Sequence, residues 1–261
     1  MSTNKIFLHK IINNNICEIT LNNPLKRNPL SLELITSLQA LFHKLKKSKM
    51  VKVVILKSTG PSFCSGHDLN EVRKLSKSKV RLLNLFKKCS QMMMTVRELP
   101  QPVIACVDGL AAAAGCQLVA SCDLVIATKE STFQTPGVNI GLFCSTPMVA
   151  ISRKVAPKDM MYMLLTGDQI TAKEAKEYKL INIITNKKQF QKQIDIITNK
   201  LQKKSFQSIK IGKVAFYNQL EMDLGKAYNY TSQVMTKNMQ VKDAKEGIEA
   251  FVKKRTPNWT K

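Results

Sequence analysis

The chain has 261 residues, of which 44% are hydrophobic, and its 41 Lys and Arg against 18 Asp and Glu give a formal net charge of +23. This length suits one large domain or two small ones, and no apolar run approaches the roughly eighteen residues of a membrane-spanning helix. We therefore expect no membrane span. The lysines are scattered rather than gathered into one basic stripe, so we do not expect a nucleic-acid partner either. The excess charge would still attract small polyanions such as a nucleotide with several phosphates.

The cysteines and histidines argue against a disulfide scaffold and against a metal site. No C-x-x-C pair is present, and an odd number of cysteines favours buried thiols in a reducing compartment. His9, His43 and His67 are far apart and lack zinc-ligand spacing. The seven cysteines are Cys17, Cys64, Cys89, Cys106, Cys116, Cys122 and Cys144.

The amino-terminal half alternates between strands and helices. Ser31 is a good N-cap for the first helix, and "NNN" suits the turn between the first two strands. This alternation predicts a parallel sheet flanked by helices. The predicted strands are rich in β-branched residues and cover 6–12, 16–22, 51–59, 102–109 and 123–128. The predicted helices cover 32–49, 75–98 and 112–122, and 60–72 is predicted as a loop.

The character of the chain changes after about residue 150. The stretches 152–167, 171–181 and 242–254 are helical in pattern, and strands nearly vanish. We therefore expect an α/β core over 1–195 and a helical carboxy-terminal region over 196–261. The strand pattern begins almost at once and no signal-peptide core precedes it, so we expect a cytoplasmic protein, or a mitochondrial one if a presequence precedes this sequence.

Two stretches of small residues each follow a predicted buried strand. "FCSGHDL" covers 63–69 and "DGLAAAAGCQL" covers 108–118. Loops at the carboxyl ends of parallel strands collect ligands and expose backbone N–H groups. Two such groups aimed at one carbonyl oxygen would form an oxyanion hole, which the helix beginning near Ala112 would reinforce. Either stretch alone would be no more than a tight turn, but together they favour a site.

Six stretches follow one another along the chain and together carry a resemblance. Their succession resembles the crotonase superfamily, the enoyl-CoA hydratase/isomerase family, over nearly the whole chain. Within it, "GLAAAAGCQLVASCD" and "TPGVNIGLFCSTP" are similar to divergent enoyl-CoA hydratase domain-containing proteins that lack the two catalytic glutamates. The six stretches are "ITLNNPLKRNPLS", "FCSGHDLNEV", "PQPVIACVDGLAAAAGCQLVASCDLVIAT", "FQTPGVNIGLF", "LLTGDQITAKEAKEYKLIN" and "EGIEAFVKKRTPNW".

The resemblance implies a crotonase fold of repeated β-β-α units with a helical carboxy-terminal trimerisation region, assembled as a homotrimer or a dimer of trimers. It implies an acyl-CoA substrate, with coenzyme A present as part of the thioester and no permanently bound cofactor. The oxyanion-hole donors would be the backbone N–H groups of His67 and Ala114. The coenzyme A positions would be Lys26, Arg27, Asn28 and Leu30, the backbone of Ser65, Gly66, Asp68 and Leu69, and Phe251 and Lys254, the last two often reaching the ligand from a neighbouring subunit.

The chain departs from the family at both acid–base positions. Hydratases use two glutamates, and this chain has Gln117 and Gly137 in their places, neither of which can exchange a proton. Loss of such a group costs about 10²–10⁴-fold in rate, whereas an intact oxyanion hole is commonly the largest single contribution. His67 is the one histidine near the site and its pKa would suit proton transfer, but we expect its backbone N–H rather than its imidazole to act. We expect Cys144 to be an inert buried thiol and Asp68 to orient its loop.

Three functions are compatible with these residues. The first is enolate chemistry of the hydratase/isomerase class in fatty-acid metabolism, with weak activity on simple enoyl-CoAs. The second is decarboxylation of a malonyl-type CoA, which needs no base; the "SGHDL" loop and the missing glutamate before "VNIG" resemble methylmalonyl-CoA decarboxylases, although a tyrosine expected near Cys144 is absent. The third is a non-catalytic acyl-CoA-binding protein.

Overall fold

The computed structural model describes residues 5–13 and 15–260. The first four residues, Asn14 and Lys261 lie outside the described part, so the middle of the predicted "NNN" turn and the extreme amino terminus are not covered. Asn13, at the start of that turn, has a positive φ of 48°, which asparagine tolerates better than most residues.

A six-stranded sheet forms the centre of the molecule. Its order is β1-β2-β3-β5-β7-β10; β1 and β2 pair antiparallel and all other neighbours pair parallel. Because both faces of a parallel sheet are covered, its central strands are rich in apolar residues, and all five residues of β5 are buried. The strands of this sheet are β1 (Phe7–Ile12), β2 (Ile16–Leu21), β3 (Val53–Ser58), β5 (Val103–Val107), β7 (Leu124–Thr128) and β10 (Ile183–Thr185).

A second, four-stranded sheet is built from strands of three residues each. Its order is β4-β6-β8-β9, with β9 antiparallel to β8 and the others parallel. Three successive units thus place one strand in the large sheet, the next in the small sheet, and then a helix, which is the predicted β-β-α repeat. The four strands are β4 (Ser62–Cys64), β6 (Leu110–Ala112), β8 (Thr132–Gln134) and β9 (Gln169–Thr171).

Helices cover the two faces of the large sheet. The first begins at the predicted cap, where the Ser31 hydroxyl accepts a hydrogen bond from the Leu34 N–H at 3.2 Å. The predicted loop 60–72 was wrong in detail, because it contains β4 and the start of α2. The helices are α1 (Leu32–Lys47), α2 (Leu69–Leu75), α3 (Lys79–Glu98), α4 (Ala114–Ser121), α5 (Ser145–Ile151), α6 (Pro157–Thr166), α7 (Ala172–Glu177), α8 (Phe190–Gln202), α9 (Phe206–Gln219), α10 (Leu224–Met239) and α11 (Lys242–Val252).

The carboxy-terminal part is helical, as the sequence predicts. The expected boundary between 195 and 196 falls inside α8, and both Ile194 and Ile197 of that helix pack against residues of the large sheet. A boundary after α8 would keep the helix whole. The helices α9, α10 and α11 contact one another. Among the described residues, no helix is both long enough and apolar enough to cross a membrane.

Candidate active site

The loop that follows β4 is held against the beginning of α4. Gly66 has a φ of +97°, and a Cβ on it would lie 3.0 Å from the Cβ of Ala113 and 3.4 Å from the nitrogen of Ala114. On its other side the Gly66 carbonyl accepts a hydrogen bond from the Leu30 N–H at 2.7 Å. Glycine is therefore required here for two reasons: the backbone has a left-handed conformation, and there is no space for a Cβ. As a result, His67 and Ala114 lie on adjoining loops.

The start of α4 has an unusual backbone. Ala113 precedes the helix with φ 48° and ψ −116°, a strained conformation for a residue with a Cβ, and its N–H donates to the Gln134 carbonyl at 2.9 Å. Among the hydrogen bonds of the described residues, none is donated by the N–H of His67 or of Ala114. Ala114 is fully buried. Two unpaired donors on touching loops, one at a helix amino terminus, form an arrangement that suits a developing negative charge.

The imidazole of His67 is not tuned for proton transfer near neutral pH. Its ring packs edge-on against Phe86, with the centroids 5.3 Å apart, and its Nε2 atom is buried without a hydrogen-bond partner among the described residues. Burial lowers the pKa of His67 to about 4. With a pKa this low the ring is a weak base and its protonated form is scarce near neutral pH, so the expectation that its pKa would suit proton transfer is wrong.

Gln117 lies one helical turn beyond Ala114 and lines a cavity of about 500 Å³. Its side chain is buried, and its Oε1 has no hydrogen-bond partner among the described residues. An unpaired buried amide oxygen can accept a hydrogen bond from a water or a ligand. Of the other site residues predicted from the sequence, none lines this cavity.

Gly137 lies in a short 3₁₀ turn, Pro136–Ile140, and is buried. A Cβ at this position would lie 3.0 Å from the Cys144 sulfur and 3.0 Å from the Leu142 carbonyl oxygen. The space that a glutamate side chain would need is thus partly filled by Cys144. That thiol is buried, and burial raises its pKa, so it is a poor nucleophile.

The predicted coenzyme A residues near position 27 divide into two groups. Lys26 and Arg27 are exposed at the end of a short 3₁₀ turn, where they are free to contact a ligand. Leu30 is fully buried, and so is Asn28, whose Nδ2 donates to the carbonyls of Thr59 and Ser62 at 2.8 Å each. The side chains of Asn28 and Leu30 therefore shape the loop and do not face a ligand.

The remaining predicted positions lie in two separate places. The Ser65 N–H donates to the Arg27 carbonyl at 3.0 Å, and Asp68 caps α2 by accepting from two backbone N–H groups, while Leu69 is exposed. Phe251 is 86% exposed at the end of α11, and Lys254 follows it with a positive φ of 51°. Phe251 lines a different, open cavity with Trp259, so it is not brought to the loops of His67 and Ala114 in this chain.

Sequence reasoning did not single out the polar residues that line the Gln117 cavity. Arg97, Lys154 and Tyr217 belong to or follow three different helices, and more than a hundred residues separate the first from the last. No spacing signal could have linked them. Among the residues that the structure describes, no group of three or more His, Cys, Asp and Glu side chains could hold a metal ion.

Comparison with known proteins identifies the family of the chain. The family model described as enoyl-CoA hydratase/isomerase matches residues 11–261. The human protein named enoyl-CoA hydratase domain-containing protein 3, mitochondrial, is 46% identical over 245 residues, covering 94% of this chain and 80% of the relative.

Solved structures have the same fold. The crystal structure of human enoyl-CoA hydratase domain-containing protein 3 superposes with a TM-score of 0.94 at 44% identity, covering 98% of this chain and 100% of that one. An enoyl-CoA hydratase from Mycobacterium smegmatis superposes with a TM-score of 0.95 at 39% identity, covering 97% of this chain and 98% of that one. With its crotonase fold and a match over almost its full length, the chain belongs to the enoyl-CoA hydratase/isomerase family.

Proposed function

We propose that this protein binds acyl-CoA thioesters and stabilises a thioester enolate with the backbone N–H groups of His67 and Ala114. The observation that supports the proposal is the contact between the Gly66 loop and the start of α4, since neither the His67 nor the Ala114 N–H donates a hydrogen bond within the described residues. Because these donors are fixed by the fold, they need no reorganisation when the charge develops. The proposed reaction class is that of a weak enoyl-CoA hydratase in fatty-acid metabolism.

In the hydratase reaction, water adds to the β-carbon of an enoyl-CoA. The electrons of the double bond move toward the thioester, whose oxygen becomes negative between the two N–H groups; the α-carbon then takes a proton, and the water oxygen loses one. Gln117 can accept a hydrogen bond from the attacking water through Oε1 but cannot remove its proton. The proton must therefore pass to solvent, and we expect weak activity for that reason.

A second candidate is decarboxylation of a malonyl-type CoA. Here the bond between the α-carbon and the carboxylate breaks, carbon dioxide leaves, and the bonding electrons form the same enolate, which solvent then protonates. The observation that favours it is that none of the three residues considered for proton removal is a good base: Gln117 and Gly137 cannot titrate, and burial lowers the pKa of His67 to about 4. A third candidate, a non-catalytic acyl-CoA-binding protein, would use the same donors for binding alone.

The coenzyme A moiety would be bound partly by a second copy of the chain. Lys26 and Arg27 are exposed cations near the loop 65–69, which suits phosphate groups. Phe251 and Lys254 would reach a neighbouring subunit's ligand in a homotrimer or a dimer of trimers. Large exposed apolar side chains on α9, α10 and α11 support such an assembly, because a monomer rarely exposes so many. They include Phe216, Leu224, Tyr228, Met235, Phe251 and Val252.

We also propose a mitochondrial rather than a cytoplasmic location. The cytoplasmic expectation finds no support in the comparisons, since the relatives named enoyl-CoA hydratase domain-containing protein 3 from human and rat are both called mitochondrial. Fractionation of cells that express the native gene, with antibody detection, would test this. Recovery with cytosolic markers alone would contradict it.

The experiment for the proposed function removes one of the two proposed donors. Ala114 is the first residue of α4, the helix position that tolerates proline best, and Ala114→Pro removes its N–H. Because Ala114 is buried and follows the strained Ala113, thermal unfolding first establishes that the variant is folded. We expect Ala114→Pro to lower turnover by about 10²–10³-fold, as loss of an oxyanion-hole donor does elsewhere. The matched control is Lys79→Pro, at the exposed first position of α3, which should leave turnover unchanged.

The products decide between the candidates. Wild-type protein is incubated with crotonyl-CoA and, separately, with methylmalonyl-CoA, and the products are identified by mass spectrometry. Formation of 3-hydroxybutyryl-CoA supports the hydratase, propionyl-CoA supports the decarboxylase, and thioester binding without turnover supports the binding protein. If neither thioester binds, or if Ala114→Pro and Lys79→Pro behave alike, the proposed donors are not the site.

A further inference from the structure

The Gln117 cavity is lined both by apolar side chains and by a group of cations. Its apolar lining comes from Met93, Met94, Ala120, Val149, Ala150 and Leu220. Three cations, Arg97, Arg153 and Lys154, also line it, against one carboxylate, that of Glu221. An unbranched acyl chain would suit the apolar lining but not the cations, since a hydrocarbon gains nothing beside charges that it desolvates.

The two arginines share the single carboxylate. Arg97 donates to Glu221 Oε1 at 3.0 Å and to the Tyr217 carbonyl at 2.9 Å. The Arg153 Nε lies 3.8 Å from the same Glu221 oxygen. Glu221 therefore balances one positive charge, and the cavity keeps an excess of two among the residues that line it.

Lys154 is the cation without a carboxylate. Among the described residues, no carboxylate oxygen lies within 4.0 Å of its Nζ and no hydrogen bond from Nζ is formed; the atom lies 5.2 Å from the centre of the Tyr217 ring. Burial lowers the pKa of this half-buried ammonium, and the nearby Asp123 only partly opposes the effect. A cation in such a position gains from an anionic ligand, because the ligand restores part of the lost hydration.

Asp123 does not serve as that partner because its charge is already paired with another lysine. Oδ2 accepts from the Lys213 ammonium at 2.6 Å and from the Val103 N–H at 2.7 Å. Oδ1 accepts from the Tyr217 hydroxyl at 2.9 Å. Lys154 lines the cavity, so an anion that fills the cavity would meet an ammonium that no carboxylate of the described residues contacts.

The distance along α4 suits a ligand that starts at the oxyanion donors. Ala114 begins the helix, Gln117 follows one turn later, and Ser121, which also lines the cavity, ends it. At 1.5 Å per residue, Ser121 lies about 10 Å from Ala114 along the helix axis. A thioester held at Ala114 would therefore direct a medium-length acyl chain past Gln117 toward the cations.

We propose that the acyl group accepted by this site ends in a carboxylate, which Lys154 binds. This rests on the proposed function, because it places the thioester at the N–H groups of His67 and Ala114. A charge-assisted hydrogen bond in a partly desolvated place changes affinity by about tenfold or more. Lys154 is then a specificity-determining residue, and the substrates are CoA thioesters of dicarboxylic acids.

The test compares two saturated ligands of equal carbon number, adipoyl-CoA and hexanoyl-CoA, by isothermal titration calorimetry. We expect wild-type protein to bind adipoyl-CoA about tenfold more tightly. Lys154→Gln should abolish this preference, Lys154→Arg should keep it, and the exposed Lys158→Gln should leave it unchanged. Thermal unfolding of each variant checks that it is folded. If Lys154→Gln is not folded, the comparison of Lys154→Arg with wild type still tests whether a cation at this position keeps the preference.

The outcomes separate this inference from the proposed function. Equal binding of the two ligands, or tighter binding of hexanoyl-CoA, overturns the carboxylate inference and leaves the thioester site standing. A preference that persists in folded Lys154→Gln overturns the role of Lys154. If neither ligand binds while the protein is folded, the proposed function fails and the inference fails with it.

Discussion

Gly66 touches the start of α4 so closely that a methyl group on it would lie 3.4 Å from the backbone nitrogen of Ala114. This contact holds together two segments that are far apart in sequence. It also means that the geometry of the two proposed donors depends on a residue without a side chain. Substitution of this glycine should therefore disturb the site without removing any functional group.

Gly66→Ala should lower both stability and thioester affinity. The added Cβ meets Ala113 at 3.0 Å and the residue must keep a φ of +97°, so we expect a loss of roughly 1–3 kcal/mol in the free energy of unfolding. Gly141→Ala is the matched control, because Gly141 also has a positive φ, +75°, but nothing within 4 Å of its Cβ position. Urea unfolding and crotonyl-CoA titration of both variants measure the difference. Equal losses of affinity in the two would show that the contact between the loops is unimportant.

Gly137→Ala should destabilise the protein because Cys144 already fills the space. The new Cβ would lie 3.0 Å from the Cys144 sulfur, and overpacking of this kind costs about 1–3 kcal/mol. Gly212→Ala, inside α9 with open space around it, should instead stabilise by about 1 kcal/mol through helix propensity. Denaturant unfolding gives both values. A neutral Gly137→Ala would mean that the turn yields easily and that a glutamate could be restored there.

His67 should make the protein less stable in acid. Burial lowers its pKa in the folded state to about 4, below the ordinary value near 6.5, so the unfolded chain binds the proton more tightly. The free energy of unfolding should therefore fall by up to roughly 3 kcal/mol as the pH decreases from about 6.5 to about 4. His67→Gln, which keeps the backbone N–H, should flatten this part of the stability profile. The exposed His9→Gln should not, and identical profiles for wild type and His67→Gln would contradict the assignment.

The buried ion pair of Lys213 and Asp123 should stabilise the packing of α9 against the sheet. The two side chains are 7% and 16% exposed, with 2.6 Å between Nζ and Oδ2. Lys213→Met leaves a buried carboxylate uncompensated, so we expect a loss of about 3–5 kcal/mol. Adding Asp123→Asn removes that charge and should recover part of the loss. Lys46→Met, in an exposed pair with Glu98, should change stability by less than about 1 kcal/mol, and a similar small effect at Lys213 would refute the prediction.

Local signals predicted much of the fold. Five of the six strands of the large sheet follow from side-chain pattern and the Ser31 cap from a contact three residues away, and the structure confirms them, whereas β10 was not predicted. The short strand Ser62–Cys64 was missed because three residues are too few to show a period. It is a strand only because β6 lies beside it, and that pairing joins segments almost fifty residues apart.

The sequence by itself determined that Gln117 and Gly137 cannot act as general acids or bases, because an amide and a hydrogen do not exchange a proton near neutral pH in any fold. The tertiary structure decided the rest. Packing against Gly66 places the Ala114 nitrogen beside the His67 loop, burial lowers the His67 pKa to about 4, and helices far apart in the chain bring Lys154 and Tyr217 to the cavity of Gln117. Each of these depends on space and solvation created by distant residues, which no local pattern records.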